Sequence, residues 1–85
     1  MFEGLTYDDS DYPSIGLVPP GASSEDVLDH IKIAKDFLLI QSEGEDGWAG
    51  AYWADTEMVV VEDLGPSQDD ALDQFREELR ERGEL

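Results

Sequence analysis

Apolar residues alternate with small or polar ones most densely between Gly47 and Asp63, in the stretch GWAGAYWADTEMVVVED. Trp48, Gly50, Tyr52 and Ala54 fall on one face of an extended chain. Ala49, Ala51 and Trp53 fall on the other, because side chains along a strand alternate with period two. Aromatic and β-branched residues suit a pleated surface. Asp55-Thr56 breaks the run with a polar pair fit for a tight turn. Met58, Val59, Val60 and Val61 resume it as a second strand, ended by Glu62-Asp63 and Gly65-Pro66. The stretch predicts a β-hairpin that is apolar on two sides. Helices can cover one side; the other must be buried as well or meet a partner.

The rest of the chain reads as cover or continuation. Ser23 or Ser24 opens a first helix: Ser23 with Asp26 has capping-box spacing, and Glu25-Asp26 place negative charge at the positive end of the helix dipole. Val27, Leu28, Ile31 and Ala34 recur at helical spacing. The helix is expected to stop near Ala34. Lys35 to Ser42 reads as a strand, apolar on both faces through Phe37/Leu39 and Leu38/Ile40, although the pattern also lets the helix run on from Ile33 towards Ile40. Glu43-Gly44-Glu45-Asp46-Gly47 is an acidic loop. After the hairpin, Ser67 with Asp70 repeats the capping spacing. Ala71, Leu72, Phe75 and Leu79 then form an apolar stripe, Glu78 and Arg82 an i,i+4 pair, and Gly83 the stop. SSEDVLDHI and SQDDALDQF share Ser, Asp, Leu and Asp in register, which any capped acidic helix also does.

Met1 to Ala22 is different. Pro13, Pro19 and Pro20 with Gly4, Gly16 and Gly21 break regular structure. Phe2, Leu5, Tyr7, Tyr12, Ile15, Leu17 and Val18 are too apolar for a solvated tail. Residues 1–22 are therefore expected to form an irregular arm packed across the domain or edging its sheet, and residues 23–85 a single α+β domain. The expected architecture is a three-stranded antiparallel meander with two helices on one face, in the order α-β-β-β-α. That order resembles double-stranded RNA-binding domains in topology. Those domains carry lysines at the start of their last helix, where this chain has Gln68, Asp69 and Asp70, so the resemblance extends to layout and not to RNA binding. The strand-turn-helix ending is also similar to small antitoxin-like α+β modules.

Charge narrows the function classes. The 85 residues hold 22 acids against five bases, a net charge of −17, and Lys32 and Lys35 are the only lysines. Phosphate neutralisation needs a basic patch, so direct nucleic-acid binding and anionic membrane surfaces are excluded. Self-repulsion on this scale opposes the compact state. The Debye length is about 10 Å at ~0.1 M salt and about 3 Å at ~1 M, which silences most of it. Acids dispersed along the whole chain, with lysine suppressed, point to a high-salt, halophilic cytoplasm. The alternative is an acidic nucleic-acid mimic of the antirestriction, anti-CRISPR or immunity type, which would gather its charge on one face for a basic protein partner. No hydrophobic run approaches the ~18 residues of a membrane span. The acidic N-terminus does not read as a signal peptide or a transit peptide.

Candidate chemistry is sparse. Cysteine is absent, which removes disulfides and thiolate sites. His30 is the single histidine and reads as a neutral or solvated helix residue. Asp8-Asp9-Ser10-Asp11 fails the EF-hand pattern, because Pro13 stands at the fifth position from Asp9. No nucleophile elbow, zinc pattern or phosphate loop occurs. No catalytic residue, metal site or cofactor is expected, and the chain reads as a non-enzyme. Trp48, Tyr52 and Trp53 remain as candidate interface residues, since Trp and Tyr are common interface anchors. The sequence points to a non-catalytic interaction or structural domain, homodimeric through an exposed sheet face or edge.

Overall fold

The computed structural model describes residues 4–19, 21–41 and 47–84. Their elements are β1 (Thr6–Asp8), β2 (Ile15–Leu17), α1 (Ser24–Ala34), β3 (Phe37–Gln41), β4 (Trp48–Ala54), β5 (Glu57–Val61) and α2 (Gln68–Glu81). The acidic run at 43–46 lies outside the described residues. The hairpin forms where the alternation places it: Ala54 stands opposite Glu57 across the Asp55-Thr56 turn. Asp55 adopts φ of 55°, the positive value that a two-residue hairpin turn needs at its first central position.

The sheet is larger than expected. β3, β4 and β5 make the antiparallel meander, but β2 adds parallel to β3 and β1 antiparallel to β2, giving a five-stranded mixed sheet in the order β1-β2-β3-β4-β5. The N-terminal residues are thus not an irregular arm throughout; they supply the last two strands of the sheet. Each is three residues long, with Gly4 shortly before β1 and Pro13 and Pro19 on either side of β2, so neither shows the alternation that marks a longer strand.

The helices lie on opposite faces, not on one. α1 buries Val27 and Ile31 against Leu38 and Ala51. α2 buries Ala71, Leu72, Phe75 and Leu79 against Ile15, Leu39, Tyr52, Val61 and Leu64. Successive residues of β3, Leu38 and Leu39, therefore enter different cores. This is the physical reason for the difference: strands apolar on both sides need a helix on each side. α1 also serves as the crossover that parallel strands require between β2 and β3.

Both helices begin as their capping residues dictate. The hydroxyls of Ser23 and Ser67 accept from the amides of Asp26 and Asp70, at 3.1 and 3.2 Å. α1 ends at Lys35, whose φ of 59° is left-handed and whose amide donates to Ile31 O. α2 ends in a Schellman motif: Gly83, at φ 76°, donates to Arg80 O, and Glu84 donates to Leu79 O.

Candidate interaction surface

The hairpin aromatics are divided by the period of the strand. Tyr52 faces α2 and is 3% exposed. Its ring centroid lies 6.1 Å from that of Phe37 and 6.4 Å from that of Phe75, and Phe37 meets Phe75 edge-on at 6.4 Å. The cluster exists because Gly50 has no side chain: a Cβ there would stand 2.5 Å from the Phe75 ring. Trp48 packs half-buried at the margin of the same core. Trp53 points to the other face, beside Met58. Its indole N–H donates to Asp55 O at 2.9 Å, and Lys35 Nζ sits 5.2 Å from its ring centroid. The three candidate interface residues are thus not brought together. Tyr52 is core, and Trp48 and Trp53 are half-buried on opposite faces.

What the α1 face leaves open is its outer margin. α1 covers Leu38 and Ala51 and reaches Met58, but Val60, opposite Ala51 on the edge strand, is 47% exposed. No strand pairs with the outer side of β5 among the described residues. In a hairpin with a two-residue turn the closing pair exchanges both backbone bonds, and pairs alternate from there. Glu57, Val59 and Val61 therefore direct their N–H and C=O groups to β4, and Met58 and Val60 direct theirs outward. Acidic residues stand at both ends of this edge: Asp55 and Glu57 before it, Glu62 and Asp63 after it, all exposed.

Two polar clusters fasten the opposite edge of the sheet. In the first, Asp36 Oδ2 accepts from the Tyr7 hydroxyl at 2.5 Å and lies 2.7 Å from His30 Nε2. His30 is buried, 3% exposed, so it is not the solvated residue that its isolation in sequence suggests. Burial pushes the Tyr7 hydroxyl up to about 12, and the hydrogen bond and charge of Asp36 add to this. A small cavity of about 130 Å³ beside the cluster is lined by Asp29, His30, Ile33 and Ala34. In the second, Arg76 is 4% exposed on α2. Its Nε donates to Pro13 O at 3.3 Å, and Nη2 lies 3.3 to 3.5 Å from Asp8 Oδ1, Asp8 O and Asp11 O. Asp8 is held below the usual carboxylate range, chiefly by the Ser10 hydroxyl and amide, with Arg76 adding to them. Arg76 was legible in principle: it continues the apolar stripe of Leu72, Phe75 and Leu79 at helical spacing. Tyr7, His30 and Asp36 carried no such signal, since Tyr7 and Asp36 are 29 residues apart.

Among the described residues, no group of three or more His, Asp or Glu side chains converges as a metal site, and no helix is long and apolar enough to cross a membrane. The chain matches no family model, no curated protein and no solved structure.

Proposed function

We propose that this chain is a small non-catalytic interaction domain with an acidic exterior suited to a high-salt cytoplasm, working through the β5 edge. The observation that carries the reading is the combination at β5 of outward backbone groups with the half-exposed Val60, in a sheet whose faces are otherwise taken by α1 and α2. Exposed acids on α1, at the β4–β5 turn, after β5 and on α2 support a solvent role for the charge. The occupant of the edge is a second copy of the chain or a basic protein. Circular dichroism with parallel sizing from ~0.05 to ~3 M KCl tests the setting: compaction as salt rises is expected, because screening removes the self-repulsion. A chain already compact and fully folded at the lowest salt removes the high-salt part. A monomer at molar salt removes the homodimer.

One feature favours the mimic reading in second place. Asp69, Asp73, Glu77 and Glu81 are exposed and spaced i,i+4 along α2. That makes a carboxylate row with steps of ~6 Å. If the row acts as a phosphate decoy, Asp73→Lys with Glu77→Lys will weaken displacement of a DNA duplex from a basic DNA-binding protein by about tenfold or more. An unchanged displacement curve eliminates this reading.

A further inference from the structure

We propose that β5 takes up an extended basic segment of another protein as a sixth strand of the sheet, an inference that rests on the interaction reading above. Strand addition needs outward backbone donors and acceptors, and Met58 and Val60 provide them. It also needs contact for alternate side chains. Met58 and Val60 face the α1 side, where Val60 is 47% exposed and Trp53 lies one strand further in, opposite Met58. Val59 and Val61 face the α2 side and pack against its core. An incoming strand would therefore lay apolar residues beside Val60 on one face only.

Charge selects the occupant. The edge is bracketed by Asp55 and Glu57 at one end and Glu62 and Asp63 at the other, and the nearby Lys35 is placed over Trp53. Lysine or arginine flanking the apolar centre of a segment would meet a carboxylate at either end. A second copy meets the reverse in the registers that centre on Val59 or Val60. Antiparallel self-pairing about Val59 sets Asp55 opposite Asp63 at both ends. Self-pairing about Val60 sets Glu57 opposite Asp63 and Met58 opposite Glu62. Like charges directly opposite across a strand pair are destabilising, and each chain brings a net −17 to the encounter. Natural edges are commonly protected by an inward charge, a proline or a bulge, and Met58-Val59-Val60 has none of these.

The test uses the full chain in ~1 M KCl, where long-range repulsion is screened. The probe is a synthetic peptide, Lys-Arg-Val-Thr-Val-Thr-Val-Lys-Arg, beside a counterpart with glutamate at every basic position. The readout is amide hydrogen exchange, with sizing in parallel. The basic peptide is expected to slow exchange at Met58 and Val60 by about tenfold or more, and the acidic peptide to leave it unchanged. Glu57→Lys with Glu62→Lys should weaken the basic peptide by about tenfold. The two-peptide comparison on the unmodified chain stands even if that variant folds poorly. Protection by both peptides overturns the charge selection. Binding of the basic peptide without protection of Met58 and Val60 overturns the site, and the β5 interaction reading with it. Protection without any peptide, together with a dimeric mass, gives the edge to a second copy; it overturns the basic partner and leaves the interaction reading standing. No binding, with fast exchange and a monomeric mass, overturns both.

Discussion

On one face of the sheet a 14-residue helix lays four buried apolar side chains over Tyr52, Leu39 and Ile15, and an aromatic cluster fills the space that Gly50 opens. On the other, an 11-residue helix buries Val27 and Ile31 over Leu38 and Ala51 and relies on a Tyr7–Asp36–His30 cluster at its end. The difference lies in the length of each helix and in what it buries. α1 must start where β2 ends and finish where β3 begins, yet it lies over β4 and β5, burying Ala51 and reaching Met58 while Val60 stays 47% exposed. α2 follows β5 through Leu64 and lies over β4 on the opposite face. The shorter helix leaves the larger apolar exposure on this edge: Val60 stands open on its face, while Val59 and Val61 pack against the core on the other.

Truncating the two cores should expose this asymmetry most strongly. Phe75→Ala should cost about 4 kcal/mol, and Ile31→Ala about 3, in urea melts at ~2 M KCl. An Ile31→Ala loss larger than that of Phe75→Ala would invert the ranking of the layers. Arg76→Met comes next, at about 2 to 3 kcal/mol, because it strips the donor from the Pro13, Asp8 and Asp11 carbonyls while keeping most of the packing. Hydrogen exchange should then quicken in β1 and β2 and not in β4. A loss below ~0.5 kcal/mol would mean that the N-terminal strands are held by the sheet alone.

The same contrast explains what the sequence could reveal. The hairpin, its two-residue turn, both serine caps and the stop at Gly83 depend on residues within one or two turns of each other, and all were legible. So was the division of Trp48 and Tyr52 from Trp53, which is strand period alone. β1 and β2 were not legible as strands, because three residues carry no period, and Gly16 in β2 lowers strand propensity. Gly16 is there for packing: a Cβ would meet Leu38 at 2.6 Å. The placement of helices on two faces was implied by the double-sided strands but needed the parallel β2–β3 pair to become definite. Of the candidate surface, Trp53 was visible and the β5 edge was not, since which strand ends a sheet is decided by pairings that bring distant segments together.

A pH titration separates the two fastenings of the N-terminal edge. Tyr7 is raised from 10.0 to about 12 in the fold. Above pH 10 the unfolded chain gives up a proton that the folded chain keeps, so this contribution is whole below pH 10 and lost as pH climbs to about 12. Asp8 works in the other direction. Its folded value is depressed, so its contribution is present at neutral pH and lost as acid protonates it. Tyr7→Phe should flatten the alkaline limb relative to the unmodified chain and leave the acid limb alone. Parallel curves through the alkaline range would show that Tyr7 does not hold its proton for the fold.

The smallest effect asks how α1 is held at its end. Lys35 sits at φ 59°, a left-handed conformation that costs a residue with a Cβ about 1 kcal/mol relative to glycine. Glycine at this position would relieve that strain. It would also remove the ammonium over Trp53, a contact worth about 0.5 to 1 kcal/mol at an exposed site. The two nearly cancel, so Lys35→Gly alone should change stability by less than about 0.5 kcal/mol. In a Trp53→Leu background the ring is gone and only the strain remains to be relieved, so the same substitution should stabilise by about 1 kcal/mol. Equal effects in both backgrounds would mean that the ammonium adds nothing. The α1 layer would then be held at this end by Tyr7, Asp36 and His30 without help from the hairpin.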